Sequence, residues 1–171
     1  MEVRSALFAS VLALFAILAG PSAAEDTGAS GGGAIVNPGR SCEGRPTSTR
    51  LIVQVGRLRS NEGEVAVTVY PSDPKRFLAP RGKLLRVRVK ADAPMTQACF
   101  YLPRPDAYAV TVYHDANANR DFDRNAVGLP VEGFAFSNDA PSKVGVPTFQ
   151  DARFMAKPGD TVLRVRMRYG R

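Results

Sequence analysis

Short runs of alternating apolar and polar residues recur from residue 51 to residue 169, and they constrain the fold of this chain most strongly. Successive side chains of a β-strand point to opposite faces, so a period of two is typical of strands with one buried face. The runs are LIVQV (51–55), EVAVTVY (64–70), LLRVRVK (84–90), QACFYL (97–102), AYAVTVY (107–113) and TVLRVRMRY (161–169). Turn sequences rich in glycine and proline separate them. We therefore predict an all-β, antiparallel sandwich of immunoglobulin-like or transthyretin-like type with about seven strands.

Two segments outside these runs predict short helical turns. In SDPKRFL, Ser72 or Asp73 can cap a turn that has Pro74 at its first helical position. In PTFQDARF, Thr148 precedes Asp151 by three residues, a spacing close to that of a capping box.

The first 24 residues have the pattern of a secretory signal peptide. A charged tip precedes an apolar run from Ala6 to Leu18, and small residues follow it. The run is shorter than the about 20 residues that a membrane span needs. Residues 25–45 are rich in glycine and predict a flexible leader, which leaves 46–171 for the sandwich domain. We expect an exported protein, in the periplasm or outside the cell, with no transmembrane segment in the mature chain.

The chain has two cysteines, Cys42 and Cys99. Export implies an oxidising compartment, so a single disulfide is the simplest interpretation, with two free thiols as the alternative. In the chain-entropy model, a disulfide between them stabilises the folded state by at most about 4 kcal/mol. Two cysteines and one histidine are too few for a structural zinc site.

The sequence YHDANANRDFDRN (113–125) carries the pattern with the most chemistry. Five oxygen-bearing side chains stand at alternate positions: Asp115, Asn117, Asn119, Asp121 and Asp123. Calcium takes six to eight oxygen ligands, and these residues occupy positions 1, 3, 5, 7 and 9 of a calcium loop. The pattern therefore predicts calcium as a cofactor.

Two positions of this loop depart from that pattern. Position 6, which favours glycine, holds Arg120, at a cost of about 1 kcal/mol if φ must be positive. Position 12, where a bidentate glutamate is expected, holds Ala126; Glu132 or Asn138 could return along the chain to replace it. The alternative is a metal-free cluster of Asx turns in which Arg120 and Arg124 offset the aspartates.

Several motifs around the loop resemble a known bacterial family. YAVTVYHDANANRDFDRNAVGLPVEGFAFSNDAP and the later GVPTFQDARF are similar to the signature of domain of unknown function family 2141. The resemblance covers roughly residues 50 to 170, and it implies a small exported β-sandwich with no assigned biochemistry. The family usually has glycine where this chain has Arg120. The matching residues are Leu102, Pro103, Tyr108, His114, Asp115, Asn117, Asn119, Asp123, Gly128, Pro130, Glu132, Gly133, Phe136, Ser137, Asn138, Pro147, Phe149, Asp151 and Ala152.

A catalytic role for the loop is the alternative from another class. A small exported hydrolase could use the loop carboxylates as acid and base together with His114, the only histidine. A triad of Ser137, His114 and Asp115 lacks the spacing of a nucleophile elbow. His114 and Asp115 are adjacent and would point to opposite faces of a strand. A non-catalytic binding or structural module is therefore the favoured interpretation, with His114 ordering the loop through a hydrogen bond.

Two strands carry rows of basic side chains, and the chain has a net charge of +7. If these strands adjoin, they form a cationic surface for an anionic partner or an acidic glycan. The interpretation that we favour is a solvated face whose charges prevent edge aggregation. Nucleic acid is not expected as a partner, because aromatic residues do not interleave with the basic ones. The rows are Arg86, Arg88 and Lys90, and Arg164, Arg166 and Arg168.

The loop region from 124 to 146 has no periodicity and is long enough to be functional. Within GFAFSND, Phe134 and Phe136 are spaced to share one side of a strand, so we expect both in the core. Ser137 and Asn138 then suit a turn or a cap.

Overall fold

Two β-sheets pack face to face in the computed structural model, which describes residues 41–142 and 145–170. Eight strands lie within these residues. They are β1 (Thr49–Gly56), β2 (Glu64–Tyr70), β3 (Leu85–Lys90), β4 (Met95–Tyr101), β5 (Ala107–Asp115), β6 (Gly133–Phe136), β7 (Phe154–Met155) and β8 (Gly159–Arg166). The all-β sandwich predicted from the alternating runs is confirmed.

The smaller sheet has the strand order β4-β1-β8 and the larger one β3-β2-β5-β6, with the two-residue β7 also paired to β5. All pairs are antiparallel except β1 and β8, which run parallel with Val53 opposite Leu163. Parallel neighbours need a long crossover connection. Here the connection between β1 and β8 contains strands β2 to β7.

The apolar faces of the alternating runs meet between the sheets. Leu51, Val67, Phe100, Val110 and Val165 belong to one cluster of buried residues that draws on both sheets. Since each lies on the apolar face of its run, the predicted orientation of these strands is confirmed. Burial of this face is the main source of stability in such a sandwich.

A second, smaller apolar cluster lies on the other side of the larger sheet. Phe136 and Phe149 are buried in it, and Phe134 packs against it, whereas Ala135 faces the central core. Phe134 and Phe136 thus share one side of β6, as predicted, but that side faces away from the space between the sheets. Their spacing gives a shared face without indicating which layer covers it.

Both predicted helical turns are present. Asp73 caps the 3-10 turn Pro74–Arg76 by accepting from the Lys75 N–H at 3.0 Å. Thr148 and Asp151 form a reciprocal capping box at helix α1 (Phe149–Ala152). A further 3-10 turn, Ser137–Asp139, follows β6 directly.

Cys42 and Cys99 form a disulfide, with their Cα atoms 4.5 Å apart. Glu43 next to it pairs with β4, donating its N–H to the Cys99 carbonyl at 2.9 Å and accepting from Tyr101 at 2.8 Å. The cysteine pairing is confirmed, and main-chain pairing with β4 begins within the segment assigned to the leader.

The predicted signal peptide (1–24) and residues 25–40 of the predicted leader lie outside the described residues. Among the residues that are described, no helix is long and apolar enough to cross a membrane.

Candidate cation-binding loop

Strand β5 ends at the candidate loop and sends its last two side chains in opposite directions. His114 faces inward and is 2% exposed; its Nδ1 lies 2.9 Å from the Tyr169 hydroxyl and its Nε2 2.8 Å from the Glu62 carbonyl. Because a carbonyl can only accept, Nε2 carries the proton and Nδ1 accepts from Tyr169. His114 therefore ties β5 to the β1–β2 connection and to Tyr169, and its two ring nitrogens are both engaged away from the 115–123 loop.

Asp115 faces the other side and is completely buried. Its Oδ2 accepts from Arg88 Nη1 at 2.7 Å and from the Arg120 N–H at 2.8 Å. Its Oδ1 is buried without a hydrogen-bond partner. A buried carboxylate oxygen without a hydrogen-bond partner is costly, so Oδ1 is the least satisfied atom of this carboxylate.

The middle of the loop folds onto Asp123. Asn117 Nδ2 donates to Asp123 Oδ2 at 2.8 Å, and Asn119 Nδ2 donates to both Asp123 oxygens at 3.0–3.1 Å. The amide oxygens accept backbone N–H groups two residues on, from Asn119 and Asp121. These are Asx turns. They bring the side chains of positions 3, 5 and 9 together.

The loop makes its sharp turn without glycine. Arg120 has φ 71° and Ala118 has φ 56°, both left-handed. The Arg120 carbonyl accepts from Arg88 Nη2 at 2.9 Å and from the Tyr113 hydroxyl at 3.2 Å, while its N–H donates to Asp115. These three bonds offset the cost of about 1 kcal/mol that a side chain brings to this conformation.

Glu132, one of the two candidates for position 12, lies immediately before β6 and next to Asp123. Its Oε2 accepts from the Asp123 N–H at 3.2 Å, and its Oε1 is buried without a partner. Burial raises the pKa of Glu132, and the charges of Asp115 and Asp123 raise it further, while the nearby backbone N–H groups of Asp123 and Ala116 partly oppose this. Three carboxyl groups therefore lie within electrostatic reach of one another, and two of them have an unpaired buried oxygen.

The other candidate, Asn138, lies elsewhere. Its Nδ2 donates to the Arg153 carbonyl at 2.7 Å, next to α1, in a left-handed turn with φ 58°. Asp121 is exposed and contributes its backbone N–H to the Asx turn.

The arginines near the loop do not neutralise its carboxylates in the way that the metal-free alternative assumed. Arg124 lies over the Phe122 ring, 5.1 Å from its centroid, and donates to the Gly128 carbonyl. Within the described residues, neither Arg120 nor Arg124 forms an ion pair with a loop aspartate. The asparagine amides hold Asp123 instead, and Arg88 holds Asp115.

In this conformation no group of three or more His, Cys, Asp or Glu side chains in the described part of the chain has the spacing of a metal site. The available donors are carboxylates mixed with amide oxygens, and oxygen-only sets suit hard cations such as calcium. A cation would need Asn117 and Asn119 to present their Oδ1 atoms, which now accept backbone N–H groups.

The residues considered for hydrolysis are not brought together. Ser137 is buried, and its hydroxyl bonds to the backbone of Val110 and Ala152, 2.9 Å from the Val110 nitrogen. His114 is held by Tyr169 and Glu62. No contact joins the serine, the histidine and Asp115 among the hydrogen bonds of the described residues.

The two basic strands do not adjoin, because β3 belongs to the larger sheet and β8 to the smaller one. Arg88 is committed to Asp115, and Arg166 pairs with Asp139 at 2.5 Å. Arg164 donates to Gln54 at 3.0 Å, and Arg168 to the Ala140 carbonyl at 2.8 Å. The continuous cationic face that adjoining strands would form is therefore absent from this arrangement.

Sequence reasoning missed the role of Arg88 as the partner of Asp115. Alternation places Arg88 on the polar side of its run, but its contact with Asp115 also depends on the pairing of β3 with β2 and of β2 with β5. Register places Arg88 opposite Ala66 and Ala66 opposite Tyr113, two residues before Asp115. Only the order of the strands could supply that neighbourhood.

The fold and loop together define a class: a small two-sheet β-sandwich with an Asx-rich loop at the end of a central strand. Residues 53–164 match a bacterial family described as "Uncharacterized protein conserved in bacteria (DUF2141)", and the chain belongs to this family. The predicted resemblance is confirmed. No curated protein and no solved structure matches the chain.

Proposed function

We propose that this protein is an exported, non-catalytic binding or structural module whose 115–123 loop is ordered by a calcium ion. Three buried carboxylate oxygens of the described residues lack a hydrogen bond, and one of them, Glu64 Oε2, lies 3.7 Å from Arg88 Nη1. The observation that carries the proposal is the other two, Asp115 Oδ1 and Glu132 Oε1. Both belong to groups that contact the loop, and a cation between them would satisfy both.

The remaining ligands would come from the loop itself. Among the described residues, the hydrogen-bond donors to the Asp123 carboxylate are the neutral amides of Asn117 and Asn119, which a divalent cation can displace. Rotation of the Asn117 and Asn119 amides would then present their oxygens. With Asp115, Asp123 and Glu132, this gives five side-chain donors, and backbone carbonyls or water complete a set of six to eight.

A non-catalytic role is supported by the state of the polar groups that hydrolysis would need. The imidazole of His114 has both nitrogens bonded within the fold, and the hydroxyl of Ser137 has backbone partners. Export is supported by the signal-peptide pattern of residues 1–24 and by the Cys42–Cys99 disulfide, since disulfides persist in oxidising compartments.

Calorimetric titration of the purified, chelator-treated protein with calcium tests the proposal. We expect one site per chain, loss of binding in Asp123→Asn, and unchanged binding in Asp92→Asn, an exposed aspartate outside the loop. Magnesium should bind more weakly, because it requires a tighter octahedral set and releases water reluctantly. Absence of heat with calcium, or equal binding by the Asp123 variant, would reject the calcium site.

A further inference from the structure

An apolar cavity of about 450 Å³ opens on the outer face of the larger sheet, next to the candidate loop. Its size lies within the range of small-molecule sites. Its wall is a chain of aromatic rings: Tyr113 and Phe122 centroids are 5.6 Å apart, Phe122 and Phe134 6.1 Å, and Phe134 and Phe136 5.9 Å. The edge-to-face packing of these rings holds the wall in place.

Exposed apolar side chains gather at the mouth of this cavity. Leu129 is 61% exposed and Val146 is 63% exposed, and both line it. Apolar groups concentrated around a concave apolar surface mark a ligand site more strongly than scattered ones.

Two guanidinium groups, of Arg86 and Arg124, line the same cavity. Arg86 Nε donates to Thr68 at 2.7 Å and Arg124 Nη1 to the Gly128 carbonyl at 2.9 Å. Across the described residues, neither has a carboxylate partner. Each retains donors for an anion, and the planar fork of arginine suits a carboxylate.

Arg86 also lines a second, open depression of about 390 Å³, together with Lys83, Arg88 and Arg120. The apolar cavity and the basic depression thus meet at Arg86. A ligand that fits both has an apolar body and an anionic head.

We propose that this cavity binds a free amphipathic anion: a carboxylate with a single apolar chain. The chain lies against Phe122, Phe134 and Leu129, and the carboxylate lies at Arg86 and Arg124. This site is distinct from the calcium loop and does not require the cation, although Phe122 belongs to both.

Calorimetric titration with decanoate, in chelator throughout, tests the proposal independently of calcium. We expect saturable binding of one decanoate per chain, and no saturation with acetate, which lacks the chain, or with decyltrimethylammonium, which reverses the charge. Equal binding of the cationic analogue would overturn the proposal, as would binding only to anionic vesicles and not to decanoate below its micelle concentration.

Matched variants locate the site. The double variant Arg86→Gln/Arg124→Gln should weaken decanoate binding at least about tenfold, whereas Arg164→Gln on the other sheet should leave it unchanged. Leu129→Asp should abolish binding, while Val127→Asp, at a 77% exposed position that does not line the cavity, should not. All these positions are exposed, so folding should persist in each case. Unchanged affinity in Leu129→Asp would overturn the assignment.

Discussion

Arg88 Nη1 lies 2.7 Å from Oδ2 of the completely buried Asp115, and this ion pair leaves the other oxygen of the carboxylate unpaired. The pair fixes the end of β5, and Asp115 lies at the start of a loop that contains two more carboxyl groups, those of Asp121 and Asp123. Asp115 therefore anchors the strand, and in the proposed calcium site it would also be a ligand.

Removing Arg88 should destabilise the fold. In Arg88→Met, Asp115 would keep only the Arg120 N–H as a donor to Oδ2. Because a buried charge is then left nearly uncompensated, we expect a loss of about 2–4 kcal/mol in the free energy of unfolding, measured by urea denaturation. Lys90→Met, exposed on the same strand, should change it by less than about 0.5 kcal/mol.

A double-mutant cycle checks this assignment. Arg88→Met combined with Asp115→Asn should cost clearly less than the sum of the two single changes, since each removes the same interaction. Additive losses would contradict a direct pairing of the two residues.

Glu132→Gln should have opposite effects without and with calcium. In chelator at neutral pH the variant should be at least as stable as the parent protein, because the substitution removes a charge that is buried near two others. The Asp123 N–H keeps an amide oxygen to bond. In calcium the variant should show a smaller rise in melting temperature than the parent, because it has lost a charged ligand.

The raised pKa of Glu132 also predicts a pH dependence. Its ordinary value is 4.5, and the folded protein holds the proton to higher pH. Between the ordinary pKa and the raised pKa of the folded state, the native state binds more protons than the unfolded state. Stability without calcium should therefore fall as the pH rises through that window. Melts across this range in chelator should show the decline, and Glu132→Gln should lack it. A parent protein and variant with the same pH profile would contradict the assignment.

Gly63 should be required for the position of Asp115. It has φ 65°, and a Cβ there would lie 1.9 Å from the Asp115 carbonyl oxygen. Gly63→Ala must therefore displace the start of the loop, and we expect both reduced stability and loss of calcium binding. Gly128→Ala is the control, since φ is 79° but no atom lies within 4 Å; it should cost only about 1 kcal/mol. Equal effects of the two changes by thermal melt would contradict this account.

The disulfide should stabilise the fold without affecting the loop. Cys42 and Cys99 close a loop of 57 positions, so Cys42→Ala/Cys99→Ala should lower the free energy of unfolding by about 2–4 kcal/mol. Calcium affinity should remain, because Cys99 lies on β4 of the smaller sheet, whereas the loop follows β5 of the larger one. A variant as stable as the parent in urea denaturation would contradict the stabilising role.

The sequence identified the strands well because a period of two depends only on which face is buried. It could not order them. The parallel pairing of β1 and β8, and the placement of the two basic strands in different sheets, follow from a topology that alternation does not encode. The same limit explains Phe134 and Phe136, whose shared face was predicted but whose layer was not.

The candidate loop was predictable in part for a similar reason. The spacing of Asp115, Asn117, Asn119 and Asp123 is local, and the structure brings their side chains to one turn. The Arg88 contact, and the position of Glu132 beside Asp123 while Asn138 bonds to Arg153, depend on segments distant in sequence. Arg120 shows how tertiary bonds can support a left-handed residue that local propensity disfavours.

The most direct test of the calcium-ordered loop is a thermal melt in chelator and then in calcium at a hundredfold excess over the dissociation constant. Binding to the folded state alone would add about 2.7 kcal/mol, which in a domain of this size raises the melting temperature by about 5–10 °C. We predict that rise for the parent protein and its absence in Asp123→Asn. Identical melting temperatures with and without calcium in the parent protein would contradict the central claim.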